Sequence, residues 1–228
     1  MGALQIHADR TLPATVDGSN LPWVPSPEPG VDRRMLERSG DEVAIASSIV
    51  RYAAGSRFPH HRHALGEEFL VLSGTFSDAD GDYPEGSYVR NPPGSGHAPF
   101  SDNGCVIFVK LRQMRSDECE VIRVLPEHRV WQAGATPGHD YVALYNNGRI
   151  SVTLERLQPG AILPARLADG GEEILVMEGA LELLEGELPE DHHRTLEKWA
   201  WRRHPVISHP ALSTRSGALL WLKRGHLL

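Results

Sequence analysis

Three histidines and one glutamate carry the strongest chemical signal in this chain. His61 and His63 stand two apart, Glu67 follows after a short turn, and His97 arrives later. Imidazole nitrogens and a carboxylate oxygen are donors that zinc, iron, nickel, cobalt or manganese accept. In an extended segment, side chains two apart share a face, so His61 and His63 form half a chelate while Arg62 points away. His60 falls on the face opposite His61. Beyond the Ala64-Leu65-Gly66 turn, Glu67, Phe69 and Val71 alternate with Glu68, Leu70 and Leu72, so one of the two adjacent glutamates shares the face of Phe69 and Val71. Glu67 is the choice that keeps the spacing His-x-His-x3-Glu-x6-Gly, ending at Gly74. The set predicts one divalent transition metal per chain (zinc, iron or nickel). Three neutral imidazoles and one carboxylate leave such a cation a net charge of about +1, which favours a small organic anion such as an enolate.

His97 is far from the other donors along the chain, so a β-barrel is needed to bring it to a common interior. The text between supplies the parts. Short runs rich in valine, isoleucine, leucine and aromatics predict strands over 43–52, 67–73, 86–90, 105–111, 141–145, 150–157, 173–177 and 218–223. No segment shows a sustained helical period, and 17 prolines with 22 glycines suit many strands joined by turns. The first twenty residues, ahead of the prolines at 22, 25, 27 and 29, read as an extended arm crossing another surface.

The chain also repeats itself. Gly66-Glu-Glu-Phe-Leu-Val-Leu-Ser-Gly74 recurs as Gly171-Glu-Glu-Ile-Leu-Val-Met-Glu-Gly179, an offset of 105 residues, and the same offset carries Arg51 to Pro59 onto Arg156 to Pro164. Trp23, Pro29, Gly30 and Asp32 reappear as Trp131, Pro137, Gly138 and Asp140, with the offset now 108. Three blocks in one order predict two copies of one barrel: an arm over 1–20, a metal-binding barrel over 21–115 and a second barrel over 116–228. In the second copy Arg166 replaces His61, Ala168 replaces His63, Glu172 matches Glu67, and His209 aligns loosely with His97. Those ligands are too few for a tight metal site, and an Arg166–Glu172 ion pair is expected in its place.

The spacings Gly55-x5-His61-x-His63-x3-Glu67-x6-Gly74 and Gly86-x5-Pro92-x-Gly94-x2-His97 resemble the two cupin motifs, departing only where Ser101 stands for asparagine. The run from Gly66 to His97 resembles in particular the ChrR-type cupin, the C-terminal domain of zinc-containing anti-sigma factors. That resemblance is strong over residues 20–115 and weak beyond. It implies an all-β bicupin of two tandem jelly-roll (double-stranded β-helix) barrels, with His61, His63, Glu67 and His97 as the metal ligands. It also implies a binding protein that senses a small molecule or oxidative stress. The two cysteines form no Cys-x-x-Cys, so the expectation is a chain without a sigma-binding domain of its own. The alternative implied by the same barrel is an enzyme, a non-haem iron dioxygenase cleaving carbon–carbon bonds of β-diketones or hydroxyacetophenone-like substrates.

The remaining features narrow the partners. A formal charge of −7 argues against nucleic acid or an anionic membrane, and neither a membrane-length apolar stretch nor a secretory leader is present, so a cytoplasmic location is expected. A small anionic ligand is the expected partner, and a homodimer is compatible with the arm. Cys105 and Cys119 read as reduced packing residues. Tyr83, Tyr88 and Arg90, with Phe69, are expected to line the pocket or support the ligands. Asp78, Asp80 and Asp82 read as an ordinary turn, Trp199 and Trp201 as sharing a core face, and His192-His193 as a solvated loop.

Overall fold

The structure, a computed structural model, describes residues 2–184 and 195–227; His192 and His193 lie outside them. Its described residues hold no α-helix, only a 3-10 turn at Pro126–His128. Among the described residues no helix is long and apolar enough to cross a membrane. By contact the chain forms two units, Met1–Ala8 with Leu21–Arg129 and Asp9–Asn20 with Val130–Leu228.

The first unit is built on β1 (Val31–Ser39), β2 (Ile45–Tyr52), β3 (Glu67–Asp78), β4 (Tyr88–Asn91) and β5 (Cys105–Leu111). These pair antiparallel in the order β1-β2-β5-β3-β4. The second unit uses β6 (His139–Asn146), β7 (Ser151–Leu157), β8 (Glu172–Gly179), β9 (Ala200–His204) and β10 (Ala218–Arg224), in the order β6-β7-β10-β8-β9. The two orders are the same, and so are the irregularities. The β1–β2 ladder skips Leu36 and the β6–β7 ladder skips Leu144; the β3–β5 ladder skips Leu72 and the β8–β10 ladder skips Met177. Bulges bend a sheet and re-aim its side chains, so their recurrence at matched positions means that both copies close in the same way.

The repeated Trp, Asp and Arg have a structural role. In the first unit Arg51 lies 4.5 Å over the Trp23 ring and pairs with Asp32 at 2.6 Å. In the second, Arg156 lies 4.2 Å over Trp131 and pairs with Asp140 at 2.8 Å. Each Arg thus ties the loop ahead of a first strand to the second strand through cation–π and ionic contacts.

Inward-facing side chains make one core per barrel. Val31, Val50, Phe69, Val71, Phe76 and Ile107 belong to the first, and Leu157, Ile174, Val176, Leu181, Leu220 and Leu222 to the second. β3 and β5 are buried on both faces along much of their length, which explains why they read as unbroken apolar runs.

Three local readings are revised. The arm is not merely extended: Gln5–Ile6 adds to β1 and Ala14–Asp17 adds to β9, because Ala14 and Val16 alternate with polar neighbours and bury one side. Trp199 adopts a left-handed φ of 67° in a turn, so it does not share the core face with the fully buried Trp201. Cys105 packs in the core, whereas Cys119 is exposed.

Candidate metal centre

His61 lies on a two-residue strand, His61–Arg62, paired with Gly96–His97 so that His61 and His97 are direct partners. Such close pairing needs glycine at 96, where a Cβ would stand 2.5 Å from the His61 carbonyl oxygen. His63 is held by its backbone N–H, which donates to the Ser95 carbonyl at 2.9 Å. Glu67 opens β3, opposite Asn91 on β4. The four side chains converge: one donor atom from each of His61, His63, Glu67 and His97 lies within 4.8 Å of the others. The three imidazole centroids are 4.7 to 5.1 Å apart. His63, Glu67 and His97 are buried and His61 is partly exposed.

Hydrogen bonding fixes which nitrogen each imidazole offers. His61 Nδ1 lies 3.1 Å from the Pro59 carbonyl and His97 Nδ1 lies 2.9 Å from an Asp78 carboxylate oxygen. Neither oxygen can donate, so both Nδ1 atoms carry the proton. Ser95 gives its hydroxyl proton to the Pro92 carbonyl at 2.6 Å, so its oxygen accepts from His63 Nδ1 at 3.1 Å. All three Nε2 lone pairs are therefore available. His63 Nε2 and His97 Nε2 are buried without a hydrogen-bond partner, 3.6 and 3.3 Å from Glu67 Oε2. Buried polar atoms without partners are costly, and here they face one carboxylate. Donor type, tautomer and convergence fit a divalent cation taken by three Nε2 atoms and Glu67.

The surroundings tune these groups. Burial lowers the His63 pKa, against the opposing pull of Glu67. Burial would lower that of His97 too, but its bond to Asp78 and the charges of Glu67 and Asp78 outweigh it, and the net shift is upward. Asp78 is held below the usual carboxylate range: burial pushes it up, and the His97 bond and the Asp80 backbone N–H override that. Asn91 Nδ2 donates to Glu67 Oε2 at 3.1 Å. Phe58 meets His61 edge-on at 5.0 Å and Phe76 lies 5.9 Å from His97, closing the centre with apolar rings.

Of the expected supporting residues, two reach the centre. Tyr83 donates to Asp78 Oδ1 at 3.2 Å, and Phe69 packs beneath, with its ring 4.6 Å from Phe76. Tyr88 and Arg90 face away: Tyr88 donates to Glu68 at 2.6 Å and Arg90 pairs with Glu118. They alternate on β4 with Val89 and Asn91, which take the inner face. Asp78 and Asn91 are the residues that sequence reasoning missed. Asp78 was concealed because the skipped Leu72 shifts the parity of β3, so that Glu67, Phe69 and Val71 before it and Phe76 and Asp78 after it share one face. Ser101, the departure from the second motif, donates to the Thr75 carbonyl at 2.6 Å.

The second barrel closes the same position with an ion pair. Arg166, paired with His209 as His61 is with His97, donates through Nε to Glu172 at 2.6 Å and through a terminal nitrogen to the other carboxylate oxygen. Burial alone would raise the Glu172 carboxyl, and the Arg166 guanidinium outweighs it, leaving the group below its ordinary value. His209, shifted down to about 4 mainly by burial, is neutral at physiological pH.

A family profile described as ChrR Cupin-like domain matches residues 12–115. No curated protein matches the chain in sequence. Among solved structures it resembles a candidate dioxygenase from Nostoc punctiforme, at 14% identity and TM-score 0.73, covering 95% of this chain and 84% of that one. Salicylate 1,2-dioxygenase from Pseudaminobacter salicylatoxidans aligns at 13% identity and TM-score 0.62, covering 96% and 85% of the two chains. Oxalate decarboxylase from Lactobacillus farciminis aligns at 10% and 0.64, covering 94% and 86%. Identities this low establish the fold alone. Residues 12–115 thus belong to the ChrR cupin-like domain family, and the chain is an all-β bicupin of two barrels in tandem.

Proposed function

We propose that the first barrel holds one divalent transition metal, zinc, iron or nickel, through His61, His63, His97 and Glu67, and uses it to bind a small organic anion. In this reading the protein is a ChrR-like module that binds or senses its ligand. The carrying observation is the pair of buried, unbonded Nε2 atoms facing Glu67, which the protein alone leaves unsatisfied. When bound, the cation supplies Lewis acidity and a residual charge of about +1. The residues of the chain do the rest. Asp78 and Ser95 orient His97 and His63, Asn91 orients Glu67, and Phe58 and Phe76 exclude water. His61, the least buried ligand, marks the side from which an anion arrives. Elemental analysis of protein purified without added metal tests the reading. One metal per chain is expected, and none in His63→Ala; equal content in both would sink it.

A second reading, supported by the fold shared with salicylate 1,2-dioxygenase, is an iron enzyme cleaving carbon–carbon bonds of β-diketones or hydroxyacetophenone-like substrates. Oxygen uptake by iron-loaded protein given 2,4-pentanedione favours this reading. No uptake with iron demonstrably in place leaves the binding role.

A further inference from the structure

The ladders equate positions of the two barrels, and the interior of the second departs from the first at more than the metal ligands. Val31, Val50, Val89 and Leu111 belong to or pack on the apolar core of the first barrel. The pairings Val31↔Tyr52 and His139↔Leu157 make His139 the counterpart of Val31. By the same registers Glu155, Arg202 and Arg224 replace Val50, Val89 and Leu111. Four aliphatic positions have thus become polar or charged. Burying such groups costs several kcal/mol apiece unless something answers them, so a purely structural barrel has no need of all four.

Three of these exchanges, His139, Glu155 and Arg224, border a cavity of about 600 Å³ within the second unit, lined also by Tyr141, Thr153 and Arg166 and walled by Ala135, Leu163, Pro164 and Leu167, while Arg202 lies outside its lining. Gly134 makes room at one wall, since a Cβ there would stand 2.2 Å from His139 Nδ1.

The acidic groups are already answered. Glu155 accepts from Thr153 at 2.7 Å and is met by His139 Nε2 at 2.5 Å, and Glu172 accepts from Arg166 and, at 3.2 Å, from Arg224 Nε. The bases are not. Arg224 Nη2 stands 4.0 Å from Glu155, beyond hydrogen-bonding reach. Arg202, 6% exposed, lies within electrostatic reach of Glu172 and Arg166. Burial lowers Arg202 to about 10, so it stays charged at neutral pH. Arg166, Arg202 and Arg224 all lie in electrostatic reach of Glu172, with Glu155 beside Arg224, so this cluster holds three guanidiniums to two carboxylates.

We propose that this cavity is a second, metal-free binding site, specific for a small organic carboxylate whose charged end pairs with the terminal nitrogens of Arg224 and whose apolar body rests on Leu163, Pro164 and Leu167. The site goes beyond the metal-centre reading and stands without it. Its volume lies in the range of small-molecule pockets and readily admits a ligand of one aromatic ring.

Titration calorimetry with benzoate, and with uncharged benzamide as control, tests the site on the full chain. Benzoate is expected to bind once per chain at about millimolar strength or tighter, and benzamide far more weakly. Arg224→Leu, which installs the first-barrel residue, is expected to weaken benzoate about ten- to hundredfold. Because that change also removes a partner of Glu172, Ala135→Trp serves as a second variant that fills the exposed rim and leaves the ion network intact. It is expected to block benzoate with an unchanged melting temperature. His63→Ala, which disables the metal centre, should leave benzoate binding as it was. Absence of benzoate binding in the wild type, or binding that survives Ala135→Trp but vanishes in His63→Ala, overturns the proposal.

Discussion

Glu67 and Glu172 occupy matched positions at the start of matched strands, and what faces them differs in kind. Around Glu67 the chain gathers three neutral imidazoles, two of them with buried, unbonded nitrogens. Around Glu172 it gathers guanidiniums that already form hydrogen bonds to the carboxylate. A buried carboxylate needs a cationic partner. The second barrel carries that cation in its own sequence as Arg166, and the first sets three imidazoles around the same place. The lesson is that one scaffold can keep its fold while the group facing its central carboxylate changes from imidazoles suited to a cation to a guanidinium. The barrel with the built-in cation is then free to use its interior for something else.

The sharpest way to break this comparison is to give the first barrel the residue of the second. His61→Arg should abolish metal uptake altogether while the barrel still folds, because the guanidinium can pair with Glu67 as Arg166 does with Glu172. Elemental analysis with circular dichroism checks it, and retained metal would show that the positions are not equivalent. Next in size, Arg166→Ala strips a fully buried Glu172 of its main partner and should destabilise the second barrel by about 3–5 kcal/mol, read by urea denaturation. A loss below about 1 kcal/mol would mean that Arg224 alone suffices. Asp78→Asn keeps the shape but weakens the acceptor behind His97, and metal affinity should fall about 10- to 100-fold in competition with a chelator.

The pH response sharpens the contrast last. The raised pKa of His97 means that, without metal, its pair with Asp78 stabilises the first barrel fully below the unfolded value near 6.5, and this is lost as pH rises through the higher folded value. A metal needs the opposite state, the neutral ring, so the proton on His97 is the first competitor as pH falls. Occupancy should decline by roughly tenfold in affinity per pH unit below that pKa, steepening once the lowered His63 also protonates. The depressed Glu172 carboxyl instead gives stability present above its unfolded value near 4.5 and lost only as pH falls through the lower folded one. Metal content and unfolding followed from pH 8 to pH 4 should therefore show the metal leaving well before the second barrel melts.

The residues themselves determined the candidate ligand set, the all-β class and the duplication, because spacing of two in a strand dictates a shared face and because repeated blocks keep their order. The ion pair that replaces the metal was also legible, since it needed only Arg166 and Glu172 placed by the offset. What the tertiary structure alone decided is which side chains support those ligands and what the second interior holds. Asp78 reaches His97 only because a bulge at Leu72 flips the parity of β3, and no run of letters announces a bulge. Tyr88 and Arg90 turn outward for the reason that Val89 and Asn91 turn in, a choice set by sheet register. The charges at 155 and 224 share one cavity because β7 and β10, distant in the chain, are laid side by side. Proximity of that kind is a property of pairing, and it is written nowhere in a single strand.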